Sequence, residues 1–407
     1  MPSRSRGREA GDLCAIFVHA GAGFHSYSNE KVHLATCQDA CKVAMTVLKN
    51  GGDALDAVEL AIKVMEDREI TNSGYGSNLS MDGTVECDAT IVDHYGRSGA
   101  VGAVSPAIGT SLRPLTESAS EAVIIEDSPN RKIYTKMVPE SPPAYSPPSR
   151  DPMIDGSHVT YRASPSSLSS GVDSNLGTPS KRVRLNYIHR QRDGPEASSD
   201  GNSDLNPCSG CARADCVSEE DQIIDTVGAI AIDGFGNIAA GSSSGGIGMK
   251  HRGRTGPAAL VGIGTAVIPV DPEDPNRTCV ATVTSGTGEH MATTMAASTC
   301  SERVYSCVRR RGGGIEYATE EEAMRTMIEK EFMDHPSVKN SNCAGAIGIM
   351  SVKKTSDGIF LYFAHNTDSF ALASMHSEEK KPVSVMSRTT GTGSIAEGGR
   401  VARYRRR

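Results

Sequence analysis

Gln222-Ile223-Ile224-Asp225-Thr226-Val227-Gly228-Ala229-Ile230-Ala231-Ile232-Asp233 is the stretch on which the fold reading turns. Before it the chain is polar and rich in proline and serine, with no apolar period. From Val227 a run of β-branched and small apolar residues begins, the pattern of a fully buried strand. Thr226 therefore stands at the mouth of a core strand, directly after an aspartate. A cut between Asp225 and Thr226 would leave Thr226 with a free α-amine beside its own hydroxyl. Such an amine titrates near pH ~8, so its neutral form is present at physiological pH and can take the hydroxyl proton. A β-branched residue entering a strand is the plainer account of any one threonine, and the surroundings have to decide.

To the right, Gly234-Phe235-Gly236-Asn237 reads as a hairpin turn and Ile238 to Gly241 as the return strand, running into Ser242-Ser243-Ser244-Gly245-Gly246. Val280 to Thr284 is a further strand. Met291 to Val308 and Ala318 to Phe332 carry helical patterns separated by Gly312-Gly313-Gly314, and Cys343 to Val352 and Gly358 to His365 are expected to close the set as core strands. To the left, Ala15 to His19 is a short strand ahead of the turn Ala20-Gly21-Ala22-Gly23. Leu34, Cys37, Cys41, Ala44, Met45 and Leu48 recur at helical spacing up to Gly51-Gly52. Asp53 can cap a second helix with Leu55, Val58, Ala61, Ile62 and Met65 on its apolar face. Thr71 to Asn78 is too polar and glycine-rich for a regular element, and Val85 to Val92 and Gly99 to Val104 read as strands. Two halves of this kind predict an α+β fold with helices covering an antiparallel double sheet.

The domain expectation is a disordered terminus at 1–12, a first half at 13–108, a low-complexity insertion at 109–225 and a second half at 226–407. Ser141-Pro142-Pro143, Ser146-Pro147-Pro148 and the serine runs at 164–170 and 198–206 cannot bury enough apolar surface to fold alone. Only Ala122 to Ile125 and Ile133 to Val138 hint at order there. Lys181-Arg182-Val183-Arg184, with Arg190 and Arg192, reads as a nuclear import signal for an importin, as a nonspecific anionic contact, or as a solvated charge run. Cys208, Cys211 and Cys216 lack a nearby fourth ligand for zinc.

The 407 residues allow a sizeable core. A net charge of −7, 4 % aromatic content and no tryptophan argue against a nucleic-acid surface. Eleven cysteines behind a polar, basic Met1 to Asp12, which is no secretory apolar region, point to reduced thiols in the nucleus and cytoplasm, and no apolar run is long enough for a membrane.

Taken together, Val18-His19-Ala20-Gly21-Ala22-Gly23, Thr71-Asn72-Ser73-Gly74-Tyr75-Gly76-Ser77-Asn78, Glu86-Cys87-Asp88-Ala89 and Asp225-Thr226-Val227-Gly228-Ala229 form an ordered series. Ser243-Ser244-Gly245-Gly246, Gly253-Arg254-Thr255-Gly256 and Thr284-Ser285-Gly286-Thr287-Gly288-Glu289 continue it. In this order they resemble the type 2 asparaginase family of N-terminal nucleophile hydrolases, nearest to its threonine aspartase (taspase) branch of endopeptidases. The resemblance covers roughly residues 13–108 and 222–400. It implies a four-layer αββα sandwich and a precursor that cuts itself at Asp225–Thr226. It also implies Thr226 as nucleophile, Ser244 as the hydroxyl beside it, Ser285 and Gly286 as the oxyanion pair and Asn72 as an amide touching the nucleophile. Arg254 becomes the clamp for a substrate carboxylate, and Gly288 with Gly286 would let backbone donors approach. No metal or organic cofactor is implied.

One departure bears on substrate. In asparaginase members an aspartate three residues after the clamp arginine holds the α-amine of a free amino acid; here that position is Pro257. A polypeptide presents an amide at that point, which needs no carboxylate. The expected activity is cleavage of proteins after aspartate. The resemblance adds nuclear transcription regulators such as mixed-lineage-leukaemia-type methyltransferases as substrates, and a dimer of two-chain units. The alternatives are an L-asparaginase or isoaspartyl peptidase with the same nucleophile, or an inactive relative serving as a nuclear binding module. Dividing 42.9 kDa in the proportion 225 to 182 residues predicts fragments of about 24 and 19 kDa. Intact mass and N-terminal sequencing after incubation should find the smaller one beginning Thr-Val-Gly-Ala, and a chain that stays whole would count against the self-cutting reading.

Overall fold

A computed structural model describes residues 13–104, 226–391 and 393–404, together with the backbone strands at 122–128 and 131–137. In chain order the first part holds β1 (Ala15–Gly23), α1 (Glu30–Lys49), α2 (Ala54–Glu66), β2 (Cys87–Val92) and β3 (Ser98–Val104), followed by the paired strands β4 (Ala122–Ser128) and β5 (Arg131–Met137). The second part continues with β6 (Val227–Ile232), β7 (Ile238–Ser244), β8 (Thr265–Ile268), β9 (Cys279–Gly286), α3 (Gly288–Thr294) and α4 (Ala296–Ser306). Then come the hairpin β10 (Val308–Arg311) and β11 (Gly314–Tyr317), α5 (Glu320–Thr326) running into a π-helical segment Met327–Met333, and α6 (Pro336–Lys339). The chain ends with β12 (Ile347–Lys354), β13 (Gly358–His365), β14 (Ser369–His376), β15 (Val383–Arg388) and β16 (Ala396–Arg403).

These elements build the α+β sandwich that the sequence pattern implies. One sheet has the order β15-β14-β1-β6-β7-β2-β3 and the other β16-β13-β12-β9-β8, antiparallel throughout. Three apolar clusters separate four layers. In the first, Cys37, Ala44, Leu48, Val58 and Met65 of α1 and α2 meet one face of the seven-stranded sheet. In the second, Phe17, Ile230 and Ile232 face Val283, Met350 and Leu361 between the sheets. In the third, Met291, Val304, Met324 and Phe332 cover the outer face of the five-stranded sheet. Strands β6 and β7 are buried along their whole length because both faces are covered.

Local signals explain most boundaries. The Asp53 carboxylate accepts the Asp56 N–H at 2.7 Å and caps α2, and α1 closes before Gly51, which is left-handed at φ +88°. Ala122–Ser128 and Arg131–Met137 pair as a hairpin close to where the sequence hinted at order. Other boundaries differ from expectation. The helix expected over Met291–Val308 breaks at Met295, which is left-handed at φ 50°, and Val308 already starts β10. The triple glycine turns a hairpin rather than merely separating helices. Strands β14, β15 and β16 follow the two expected to close the set, and β14 lies inside the seven-stranded sheet, between β1 and the edge strand β15. The terminus at 1–12, most of the 109–225 insertion, its basic cluster at 181–192, Cys208, Cys211, Cys216 and Asp225 lie outside the described residues. No described helix is long and apolar enough to cross a membrane.

Gly241 lies in β7 where α2 crosses the sheet. A Cβ there would sit 2.9 Å from Val58 Cγ1 and 3.0 Å from both Ile62 Cδ1 and the Thr90 carbonyl oxygen. The neighbours include backbone, so α2 must lift for any larger residue to fit. Gly241→Ala should cost about 1–3 kcal/mol of stability, read as a lowered thermal midpoint.

Candidate active site

Thr226 lies just ahead of β6, its side chain almost wholly buried. Register brings its partners to the same end of both sheets. Val227 pairs with Ser243 on β7, Asp88 on β2 pairs with Ser244, and β9 ends at Ser285-Gly286. One cavity of about 170 Å³ opens there, lined by Thr226, Ser244, Arg254, Pro257, Gly286 and Gly288 among others. Of the residues singled out from the sequence, Thr226, Ser244, Arg254, Gly286 and Gly288 thus share one wall, and two stand behind it.

The first of these two is Ser285. It is fully buried, and its hydroxyl oxygen accepts the Thr226 N–H at 3.3 Å and the Ala22 N–H at 3.1 Å. Its oxygen therefore acts on the nitrogen of Thr226. Gly286, the next residue, adopts φ +149°, and a Cβ there would drive into the Ala346 carbonyl oxygen of the neighbouring chain segment. Only glycine fits that turn. Asn72 is the second. Its amide donates to the Gly246 carbonyl at 2.8 Å, its side-chain oxygen accepts the Asn78 N–H at 2.9 Å, and its carbonyl accepts the Gly245 N–H at 2.8 Å. Asn72 thus shapes, from behind, the Ser244–Gly246 turn that forms part of the cavity wall. Ser244 is buried, and its hydroxyl accepts the Gly246 N–H at 3.0 Å.

Arg254 sits on a loop held by carboxylates whose role the sequence reading left unassigned. Glu86 accepts the Gly253 N–H at 2.8 Å, and Asp88 accepts the Gly256 N–H at 2.7 Å and the Ala103 N–H at 2.8 Å. Lys250, 2 % exposed, lines the same cavity and donates its ammonium to the Glu86 carbonyl at 2.7 Å. Burial raises the Asp88 carboxyl above the usual range, against the pull of the two N–H groups and of Lys250. Glu86-Cys87-Asp88-Ala89 and Gly253-Arg254-Thr255-Gly256 are separate motifs in the sequence, and nothing local tells that both carboxylates of the first reach glycines of the second, more than 160 positions away. The Arg254 guanidinium itself pairs with the Glu289 carboxylate, which shares the cavity wall.

His19 adds a further buried group. It pairs in register with Gly228 and packs its ring 5.3 Å from that of Phe370, with neither ring nitrogen hydrogen-bonded. Burial lowers its pKa to about 3, and the nearby Thr226 backbone pulls it only partly back, without the geometry of a hydrogen bond. Among the described residues no group of three or more metal-ligating side chains comes together.

Comparison with known proteins finds similarity at the level of a family. The asparaginase family model matches residues 13–116 and 176–365. An isoaspartyl peptidase/L-asparaginase of Xenopus laevis is 28 % identical over 249 residues, 61 % of this chain and 65 % of that protein. An isoaspartyl peptidase of Salmonella typhimurium is 27 % identical over 292 residues, 69 % of this chain and 76 % of its own length. A plant-type L-asparaginase of Pyrococcus abyssi is 29 % identical over 261 residues, 62 % of this chain and 70 % of its own. The match thus spans just under two thirds of the Xenopus protein.

Burial lowers the pKa of His19, His365 and His290, and the two most strongly depressed, His19 and His365, set an acid limit. His19 stays neutral in the fold down to about pH 3 and His365 to about 4, whereas both take a proton near 6.5 once unfolded. The unfolded chain then binds more protons, so their contribution is complete above pH 6.5 and is lost as the pH falls toward 3. Denaturant midpoints measured from pH 7 down to 4 should decline steadily, and a flat profile would contradict the burial of these rings.

Proposed function

As this chain belongs to the asparaginase family of N-terminal nucleophile hydrolases, we propose that it is a self-processing threonine endopeptidase that cleaves polypeptides after aspartate. The observation that carries the reading is a single cavity holding Thr226 at the head of β6 and the Arg254 guanidinium, with Pro257 on its wall. Arginine offers a planar fork suited to a carboxylate, and the Asp225 side chain would be its first ligand. Proline offers no charge to a free α-amine, which favours a substrate whose nitrogen is already an amide.

In the precursor, Thr226 Oγ attacks the Asp225 carbonyl carbon, and the peptide bond migrates from nitrogen to oxygen as an ester. Water then hydrolyses the ester, releasing the Asp225 carboxylate and the Thr226 α-amine. In the mature enzyme that amine takes the hydroxyl proton as Oγ attacks the substrate carbonyl, and returns it to the departing amine. The tight turn at Gly286 lets backbone donors close on the oxyanion, and water resolves the acyl-enzyme. The Ser285 hydroxyl keeps the nitrogen of Thr226 in place through both stages.

A second reading is favoured by the relatives, whose names are isoaspartyl peptidase and L-asparaginase. It keeps Thr226 and Arg254 in the same roles and changes only the substrate, to free asparagine or isoaspartyl dipeptides. Nuclear transcription regulators as substrates, and a dimer of two-chain units, extend the proposal from the family resemblance alone. Thr226→Ala should abolish self-cleavage and lower turnover by about 10⁴-fold or more. Arg254→Gln should raise KM for aspartate-containing peptides more than it lowers kcat. Parallel assays of such peptides, of free asparagine and of an isoaspartyl dipeptide decide between the readings: ammonia released from asparagine with peptides left intact would reject the endopeptidase.

A further inference from the structure

We infer that Glu289 is an internal ligand of the carboxylate subsite: it occupies Arg254 while the cavity is empty, yields it to a substrate carboxylate, and thereby tunes which substrates the site accepts. The inference rests on Arg254 as the carboxylate clamp, a role common to both readings above.

Three observations converge on Glu289. It lines the cavity that holds Thr226 and Arg254, one residue beyond Gly288. Its carboxylate pairs with the Arg254 guanidinium, and among the described residues no other side chain pairs with either group. The pair is open to water, with Arg254 41 % and Glu289 61 % exposed. A structural ion pair in the same protein looks different: Arg303 and Glu331 are 15 % and 9 % exposed and joined by two hydrogen bonds of 2.8 and 2.9 Å. Arg303 and Glu331 are held by packing, whereas Glu289 can rotate from the first turn of α3 into solvent.

The consequence follows from competition. A ligand carboxylate must displace Glu289, so its apparent affinity is reduced by the fraction of sites in which Arg254 is already taken. A neutral carboxamide gains little from Arg254 and gives up little to Glu289. Glu289 therefore narrows the site's preference for acids over amides, and it keeps stray anions from holding the clamp. Lys250, the other cation on the wall, is fixed to the Glu86 carbonyl and buried, which leaves Arg254 as the exposed one of the two.

The test uses the full chain and succinate, a free dicarboxylate, with binding read by calorimetry so that it does not depend on turnover. Glu289→Gln should tighten succinate about two- to five-fold, the weight of an exposed ion pair. Where a peptide is turned over, the same change should lower KM for an aspartate peptide relative to that of its asparagine twin by a similar factor. Unchanged or weakened succinate binding in Glu289→Gln, in a protein that still unfolds at the wild-type temperature, overturns the inference and makes Glu289 a support for Arg254 or an anchor for a substrate ammonium. Arg254→Gln separates the two levels. If it loses succinate while Glu289→Gln changes nothing, the clamp stands and the competition falls; if Arg254→Gln binds succinate as well as wild type does, the clamp reading itself falls.

Discussion

The hydroxyl of Ser285 is where the two sheets are tied together at the end that carries the candidate site. Ser285 belongs to the five-stranded sheet, while the N–H groups it accepts come from Ala22 on β1 and from Thr226 ahead of β6, both on the seven-stranded sheet. The oxygen is fully buried, so losing it would leave two donors without partners in a place water does not reach. The sandwich packing between the sheets is apolar and has little direction of its own. Ser285 supplies the direction, fixing where the head of β6 stands relative to Gly286.

The second constraint is the loop that carries Arg254. No full strand or α-helix holds it, for between β7 and β8 the chain forms turns, isolated bridges such as Lys250 with Ser80, and one short 3-10 turn at Pro257–Ala259. Backbone N–H groups on either side of Arg254 are instead taken by the Glu86 and Asp88 carboxylates, and the buried Lys250 ammonium by the Glu86 carbonyl. Two acids and a lysine in one poorly hydrated corner are costly unless each finds a partner. Here each does, and the arrangement presents a single guanidinium to the cavity.

Much of this was legible in the sequence because the signals were local. The Asp53 cap, the glycine after α1, the uniformly apolar β6 and the glycine-hinged turn before β7 each determine their own geometry. The positions of Thr226, Ser244 and Arg254 around one cavity were legible only through the resemblance of several motifs in order, since no spacing in the chain places 226 beside 254 and 286. What stayed hidden was decided across the fold. Strand β14 reads Ser369-Phe370-Ala371-Leu372-Ala373-Ser374-Met375-His376, too mixed to stand out, yet it is a buried interior strand because β1 on one side and β15 on the other pair with it. Met295 breaks a helix although methionine is a good helix former, and Ser285 turns toward the Thr226 nitrogen for reasons that lie in the facing sheet.

That orientation of Ser285 bears on how a precursor of this kind could become an enzyme without rebuilding its site. In the uncut chain the Thr226 nitrogen is an amide with one hydrogen, and that hydrogen is directed at Ser285 Oγ. Once the proposed cut is made, the same nitrogen would be a neutral amine, with a second hydrogen and a lone pair. If it remains on Ser285, one hydrogen keeps its old partner while the lone pair becomes free to face the threonine's own hydroxyl. The proposed base and nucleophile would then sit on one residue whose backbone enters β6, a strand held by register on both sides, to β1 and to β7. Catalysis by positioning demands that little be ordered at the moment of reaction. A strand that was complete before the cut meets that demand, because the only new feature it needs is the lone pair.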